Sequence, residues 1–165
     1  RIVKLSLEPE DCHPVPAVLK EIAGADAVIV GPGSLYTSII PNLLVQGVTE
    51  AIARARGKKI FVSNIMTEQG ETDNFTALDH LSCLLSYIAG NIIEYVIVNN
   101  GYIDGARLNR YQEEKAVPVE PEVEAIKAMG FKVIEKDLIS DDEVAWHDSD
   151  KIARVIMDII NGQQC

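Results

Sequence analysis

The sequence predicts an α/β fold with a mostly parallel sheet and helices on both faces. Short runs such as residues 27–30 and 95–98 are apolar throughout, and longer segments with helical periodicity separate them. Strands without polar alternation are buried on both faces, and connections of helix length let successive strands run parallel. The chain has 165 residues, 47% of them apolar, which is enough for one domain with a sizeable core. We therefore predict that residues 1–165 form a single α/β domain.

The predicted elements alternate along the chain. Strands are predicted at residues 2–7, 27–30, 60–63, 95–98 and 131–134, because these runs are rich in aliphatic and aromatic residues. Helices are predicted at residues 16–22, 38–56, 76–89, 122–129 and 150–160, with an interruption near Gly47. The last helix has the clearest pattern, because Ile152, Val155 and Ile159 recur at helical spacing.

Composition excludes several classes of function. The net charge of −10 argues against a nucleic-acid-binding face, which needs clustered Lys and Arg. No apolar run approaches the ~20 residues that span a bilayer, and the first residues lack the order of a secretory signal, so we expect a cytoplasmic protein. Cys12, Cys83 and Cys165 are widely separated and unpaired in spacing, which predicts free thiols and no zinc site. His13 and His147 have no second ligand at a metal-binding spacing, so no metal site is predicted.

The first candidate binding segment is the Gly31 loop, residues 31–38, which follows the strand at residues 27–30. Glycine at positions 31 and 33 permits positive φ and close backbone approach, and Pro32 stiffens the turn. Hydroxyl groups follow at Ser34, Thr37 and Ser38, with Leu35 between them. These features fit a phosphate-binding loop before a helix. An ordinary turn with a Ser or Thr helix cap is the alternative.

The second candidate segment is the Asn64 loop, residues 64–74, which follows the strand at residues 60–63. Its hydrogen-bonding side chains include Asn64, Thr67, Glu71, Thr72, Asp73 and Asn74. Asp73 could hold Mg²⁺ or accept a proton from an attacking hydroxyl. Helix capping is the alternative for single residues, because Thr76 and Asp79 resemble a capping box. For the whole cluster, we favour a functional role.

A third loop follows the strand at residues 95–98 and contains Asn99 and Asn100. Arg107 is the nearest guanidinium that could bind a phosphate, although an ordinary surface arginine is the alternative. His80 projects away from the apolar stripe of its helix, so we expect it to face solvent. Trp146 is predicted to anchor packing rather than to stack on a ligand.

Residues 31–45, Asn64-Ile65-Met66-Thr67 and residues 70–80 closely resemble the YvcK branch of the CofD-like family, bacterial proteins called gluconeogenesis factors. The resemblance runs through nearly all 165 residues. It implies a Rossmann-like fold, a cytoplasmic location and binding of UDP-sugars such as UDP-N-acetylglucosamine. It also implies a part in central carbon metabolism and in control of cell shape or the cell wall. Family members are considerably longer and open with a GGGTG-type turn, so this chain resembles their C-terminal half.

The resemblance leads to a regulatory protein without catalysis as the first hypothesis. The ligand's diphosphate would lie near the Gly31 loop, with polar contacts from Asn64, Thr67, Thr72, Asp73 and Asn100. The first alternative is a Mg²⁺-dependent transferase that resembles 2-phospho-L-lactate transferase, which moves phospholactate from a guanosine diphospho-lactate donor to a deazaflavin. In that case Asp73 would help to hold the metal. The second alternative is a scaffold whose acidic surface recruits a protein partner. The sequence does not determine whether the protein forms a homo-oligomer.

Overall fold

The computed structural model describes residues 2–88, 90, 92–111 and 114–163. Within these residues, four strands form one sheet in which every neighbouring pair is parallel. The strands are β1 (Ala27–Val30), β2 (Lys58–Val62), β3 (Tyr95–Asn99) and β4 (Lys132–Lys136). Their order across the sheet follows their order in the sequence. The four carboxyl ends therefore meet at one edge, where open α/β sheets bind ligands.

Helices connect the strands. The described α-helices are α1 (Pro16–Gly24), α2 (Ile40–Leu43), α3 (Val48–Arg54), α4 (Ala77–Ser86), α5 (Gly105–Tyr111), α6 (Val123–Ala128) and α7 (Ser149–Asn161). A π-helical turn, Leu35–Ile39, leads directly into α2. In the described part of the chain, each helix is too short or too polar to cross a membrane.

The core lies on both sides of the sheet, because successive side chains of a strand point to opposite faces. On β2, Phe61 packs with residues of α2, α3, α4 and α6, whereas Ile60 and Val62 pack with α7. Helix α7 contributes the predicted apolar stripe, which consists of Ile152, Val155 and Ile159. The prediction of a parallel sheet covered by helices on both faces is confirmed.

Residues 2–7, which the sequence predicts to be a strand, do not pair with the sheet. The Leu5 amide instead donates a hydrogen bond to the Tyr87 hydroxyl at 3.0 Å. Ile2 and Leu5 are half-buried against the core. The apolar side chains of this segment pack on the core, but its backbone does not pair with a strand. Packing alone therefore explains why the sequence of this segment looks like a strand.

The predicted helix at residues 38–56 forms as separate pieces. It begins earlier, in the π-helical turn, where the Ile39 amide donates to the Ser34 carbonyl at 3.0 Å. Gly47 has φ +84° and stands between α2 and α3, so the predicted interruption is confirmed. The sequence did not predict α5, because only two of its residues, Leu108 and Tyr111, pack on the core and both are only partly buried.

Helix α4 begins at the predicted capping box. The Thr76 hydroxyl accepts a hydrogen bond from the Asp79 amide at 3.1 Å, and the Asp79 carboxylate accepts one from the Thr76 amide at 3.0 Å. His80, expected in solvent, is instead 1% exposed. Its Nδ1–H donates to the Thr76 carbonyl at 2.8 Å, and its ring meets Phe75 edge to face. The Nδ1 atom is thus satisfied in the core, whereas Nε2 is buried without a partner among the described residues.

Replacement of Gly31 by alanine should lower the free energy of unfolding by more than the same change at Gly70. Both residues have left-handed φ, +86° and +83°, which costs a residue with a side chain about 1–2 kcal/mol. Only at position 31 would the new Cβ clash, since it would lie 2.7 Å from the Val62 carbonyl oxygen. Urea denaturation of Gly31→Ala and Gly70→Ala measures the difference. Equal losses would contradict the close approach.

Stability should fall as the pH drops below about 6.5, the ordinary histidine pKa. Burial lowers the pKa of His80, although the Thr76 carbonyl, Asp79 and Glu68 act in the opposite direction. Just below pH 6.5, His80 therefore takes up a proton more readily in the unfolded state than in the folded state, and protonation favours unfolding. The urea midpoint should decrease from pH 7.5 to 5.5, and the decrease should be smaller in His80→Asn, whose amide can replace the Nδ1 donor. An identical pH dependence in the variant would contradict this role for His80.

Candidate functional site

A cavity of about 770 Å³ opens at the carboxyl edge of the sheet. Four segments form it, one after each strand: the Gly31 loop, the Asn64 loop, residues that end and follow α5, and residues between β4 and α7. The lining residues are Pro32, Gly33, Ser34, Asn64, Ile65, Met66, Thr67, Glu68, Gln69, Tyr111, Glu114, Ala116, Ala145, Trp146 and His147. The volume lies in the range of small-molecule sites in proteins.

The Gly31 loop brings only part of its predicted residues to the cavity. Pro32, Gly33 and Ser34 line it. Leu35 is 1% exposed and belongs to the core, because the π-helical turn points it inward. Thr37 and Ser38 are exposed and lie outside the lining. Gly31 does not line the cavity either, but its backbone lies close to the end of β2.

The first half of the Asn64 loop forms the floor of the cavity and is firmly braced. The Thr67 amide donates to the Val117 carbonyl at 2.8 Å, and the Val117 amide donates to the Thr67 hydroxyl at 2.9 Å. The Val119 amide also donates to the Ile65 carbonyl at 2.8 Å. Thr67 is accordingly 3% exposed, and its hydroxyl holds the loop in place.

Asn64 joins the two candidate loops. Its Oδ1 accepts a hydrogen bond from the Gly33 amide at 3.3 Å, and its Nδ2 donates to Glu68 Oε1 at 3.4 Å. Both distances are at the long end for hydrogen bonds, so both bonds are weak. The predicted meeting of the Gly31 and Asn64 loops is therefore present in the structure, with an amide side chain between them.

The second half of the Asn64 loop lies away from the main cavity. Thr72 is fully buried, and its hydroxyl accepts a hydrogen bond from the Glu68 amide at 2.9 Å. Asp73 Oδ2 accepts one from the Gly70 amide at 2.9 Å, and Asn74 adopts φ +58°. Asp73 and Asn74 line a smaller cavity of about 360 Å³ instead. These residues shape the turn that leads to α4.

Glu71 ties this turn to the Gly31 loop. Its carboxylate accepts a hydrogen bond from the Tyr36 amide, and its Oε2 is buried without a partner among the described residues. Burial, followed by the nearby Glu68 carboxylate, raises the pKa of Glu71, while the Tyr36 amide opposes the shift. The two loops are thus joined at Glu71 as well as at Asn64.

The third predicted loop holds the sheet edge together rather than lining the cavity. Asn99 Oδ1 accepts hydrogen bonds from the Gly101 amide at 3.1 Å and the Leu138 amide at 2.9 Å. The backbone of Asn100 continues the pairing with β4. Arg107 donates to the Ser140 carbonyl at 3.0 Å and pairs with the Asp104 carboxylate at 3.2 Å. Arg107, the guanidinium considered for phosphate binding with a surface arginine as the alternative, is thus engaged by protein groups and lies outside the cavity lining.

Several lining residues were missed in the sequence. Glu68 and Gln69 stand inside the Asn64 loop, whereas Tyr111, Glu114 and Trp146 come from distant segments. Trp146 was expected to anchor packing, yet it is 64% exposed, so that prediction is wrong. None of these residues stands at a recognisable spacing from the Gly31 loop, so the sequence carried no local signal for them.

His147 is a further lining residue from the segment between β4 and α7. Its Nε2–H donates to the Ser63 carbonyl at 3.2 Å, just past the end of β2. Burial lowers its pKa, and the hydrogen bond to Ser63 acts in the opposite direction. His147 thereby fixes the segment after β4 against the Asn64 loop.

The charge of the lining restricts its ligands. Glu68 and Glu114 contribute carboxylates, and the described lining includes neither lysine nor arginine. Among the residues with described positions, His, Cys, Asp and Glu also form no group of three or more that could hold a metal ion. An anionic ligand must therefore rely on backbone amides, hydroxyls and side-chain amides, or arrive with its own cation.

Comparison with known proteins assigns the family. The family model described as CofD, 2-phospho-L-lactate transferase, matches residues 1–139. The gluconeogenesis factor of Bacillus subtilis is 38% identical over 161 residues, which are 97% of this chain and 51% of that protein. The gluconeogenesis factor of Halalkalibacterium halodurans is 36% identical over 159 residues, 96% of this chain and 49% of that protein. The chain thus spans about half the length of the curated relatives that it matches.

Solved structures agree with this assignment. The crystal structure of a UPF0052 family member from Bacillus halodurans superposes with a TM-score of 0.87 at 37% sequence identity. The superposition covers 90% of this chain and 48% of that one. The α/β fold and the match over residues 1–139 lead to the same conclusion. The chain belongs to the CofD family and is a homologue of the bacterial gluconeogenesis factors.

Proposed function

We propose that the cavity binds a nucleotide sugar such as UDP-N-acetylglucosamine, and that the protein acts as a regulator in central carbon metabolism and in cell-shape or cell-wall control. The observation that carries the proposal is the meeting of the Gly31 and Asn64 loops at one cavity of about 770 Å³. The relatives' name, gluconeogenesis factor, supports the metabolic part. The family resemblance supports the choice of ligand.

The diphosphate has a suitable place beside Ser34 and Asn64. Ser34 lines the cavity, and its side chain makes no capping hydrogen bond to the π-helical turn. Its hydroxyl is thus available to a phosphate oxygen, and the amide groups of Gly33 and Asn64 add donors beside it. These groups bind an anion without a basic side chain.

The carboxylates of Glu68 and Glu114 would repel a bare diphosphate. A divalent cation removes this conflict, because Mg²⁺ commonly binds phosphate oxygens together with one or two carboxylates. We therefore propose that the nucleotide sugar binds as its Mg²⁺ complex, with Glu68 as the carboxylate nearest to the Asn64 amide.

A Mg²⁺-dependent transferase is the second candidate, and the description of the matching family model favours it. In this case too the cavity would hold a nucleotide diphosphate. The expected metal residue, Asp73, receives a hydrogen bond from the Gly70 amide and lies outside the main lining. Glu68 is better placed than Asp73 for that role in this chain.

Titration calorimetry of the full-length protein with UDP-N-acetylglucosamine should show saturable binding in the presence of Mg²⁺. Removal of Mg²⁺ should weaken binding by at least about tenfold, equivalent to about 1.4 kcal/mol, because the two carboxylates then face an unscreened diphosphate. Chromatography of the mixture should recover the ligand unchanged. Recovery of a transferred product would favour the transferase, and absence of any heat would contradict the proposal.

Asn64→Asp should weaken this binding by at least about tenfold. The new carboxylate keeps an acceptor for the Gly33 amide but loses the donor to Glu68 and adds a negative charge beside the proposed diphosphate. Asn100→Asp is the matched control, since Asn100 is exposed on a neighbouring loop outside the lining. Its affinity should change less than twofold. Equal effects of the two variants would show that overall charge, not the site, determines binding.

A further inference from the structure

Trp146 is a large aromatic side chain held at the surface by a firmly fixed backbone. The residue is 64% exposed, although exposure of a side chain of this size forgoes considerable hydrophobic stabilisation. Its amide donates to the Val144 carbonyl and its carbonyl accepts from the Ser140 amide, both at 2.9 Å. The backbone that carries the exposed side chain is thus fixed in position.

The residues on either side of Trp146 strengthen this support. Ala145 is 3% exposed, and its amide donates to the Tyr111 hydroxyl at 3.1 Å. His147 forms an antiparallel bridge with Ile139 and hydrogen-bonds to the Ser63 carbonyl. Because both neighbours are anchored, the exposed ring between them is not part of a loose loop.

Trp146 lines the same cavity as the Gly33 and Ser34 backbone. The amide and hydroxyl donors come from the loop after β1, whereas the aromatic wall comes from the segment between β4 and α7. The cavity therefore combines a wall of hydrogen-bond donors with an aromatic wall. A ligand that fits both walls carries an anionic group and a flat ring.

The carboxylates of Glu68 and Glu114 in the same lining would attract an organic cation, but the aromatic geometry fits one less well. Cation-binding sites enclose the charge with several aromatic faces, whereas Trp146 leaves most of its surface open. One open aromatic face suits a planar ring that stacks on it.

We propose that Trp146 is the stacking platform for the base of the bound nucleotide. The inference rests on the proposed function and adds the position of the base and the residue that holds it. Stacking depends on the face of the ring rather than on its hydrogen-bonding edge, so Trp146 contributes affinity for any nucleobase.

Fluorescence and calorimetric titrations of the full-length protein with Mg²⁺ and UDP-N-acetylglucosamine test this inference. A stacked base should quench the emission of Trp146, and the difference between the titrations of the wild type and Trp146→Phe isolates the contribution of this residue from that of any other tryptophan in the longer protein. Trp146→Leu should raise the dissociation constant by about 5- to 150-fold, as expected for loss of one base–aromatic stack. Trp146→Phe should retain most of the affinity and lose the quenching, because phenylalanine still offers an aromatic face.

Tyr102→Leu is the matched control, since Tyr102 is an aromatic residue 86% exposed and outside the lining. It should keep both affinity and quenching, and unchanged melting temperatures should confirm that the variants fold. Saturable heat without quenching, or a Trp146→Leu affinity within twofold of the wild type, would overturn the stacking role and leave the proposed function intact. Absence of binding by the wild-type protein would overturn both.

Discussion

The loop after β1 lies directly on the end of β2 because residue 31 has no side chain. A Cβ on Gly31 would meet the Val62 carbonyl oxygen at 2.7 Å, in a backbone conformation that already disfavours other residues. This close approach brings Gly33 within reach of Asn64, which in turn contacts Glu68. The parallel strands place the Gly31 and Asn64 loops at the same edge of the sheet, and the absence of a side chain at Gly31 allows the two loops to come into contact. The cavity depends on this contact.

The polar side chains at this edge of the sheet fall into two groups. Some hold the loops together by hydrogen bonds, and others are left to contact a ligand. Thr67, Asn99 and Arg107 use their side chains to hold loops together. Ser34 makes no capping bond, and the bonds of Asn64 are long. Residues of the same chemical type therefore have different roles, and the hydrogen-bond partners distinguish them. The proposed ligand contacts come from the second group.

The sequence predicted the parallel sheet and its two covered faces because buried strands and the stripe of α7 follow simple periodic rules. It failed where tertiary contacts replace a pattern. Residues 2–7 look like a strand but pack on the core through Leu5 and its neighbours. His80 is buried, and its ring contacts Thr76 and Phe75, four and five residues earlier in the chain. The contact of Leu5 with Tyr87 spans 82 residues and cannot be read from local spacing, and the burial of His80 depends on the elements that pack around α4.

The candidate site was predictable only where it is contiguous in sequence. The Gly31 and Asn64 loops are compact motifs that follow adjacent strands, so their meeting could be inferred from the order of elements. Tyr111, Glu114 and Trp146 reach the cavity from segments far along the chain. Their contribution depends on how the connections after β3 and β4 fold back, which no local pattern specifies.

A crystal structure of the full-length protein with UDP-N-acetylglucosamine and Mg²⁺ tests the central claim most directly. We expect density for the diphosphate between Ser34 and Asn64, with the Gly31 and Asn64 loops in contact as they are in this structure. Density for the ligand elsewhere, with this cavity filled only by solvent, would contradict the claim that the contact between these loops creates the binding site.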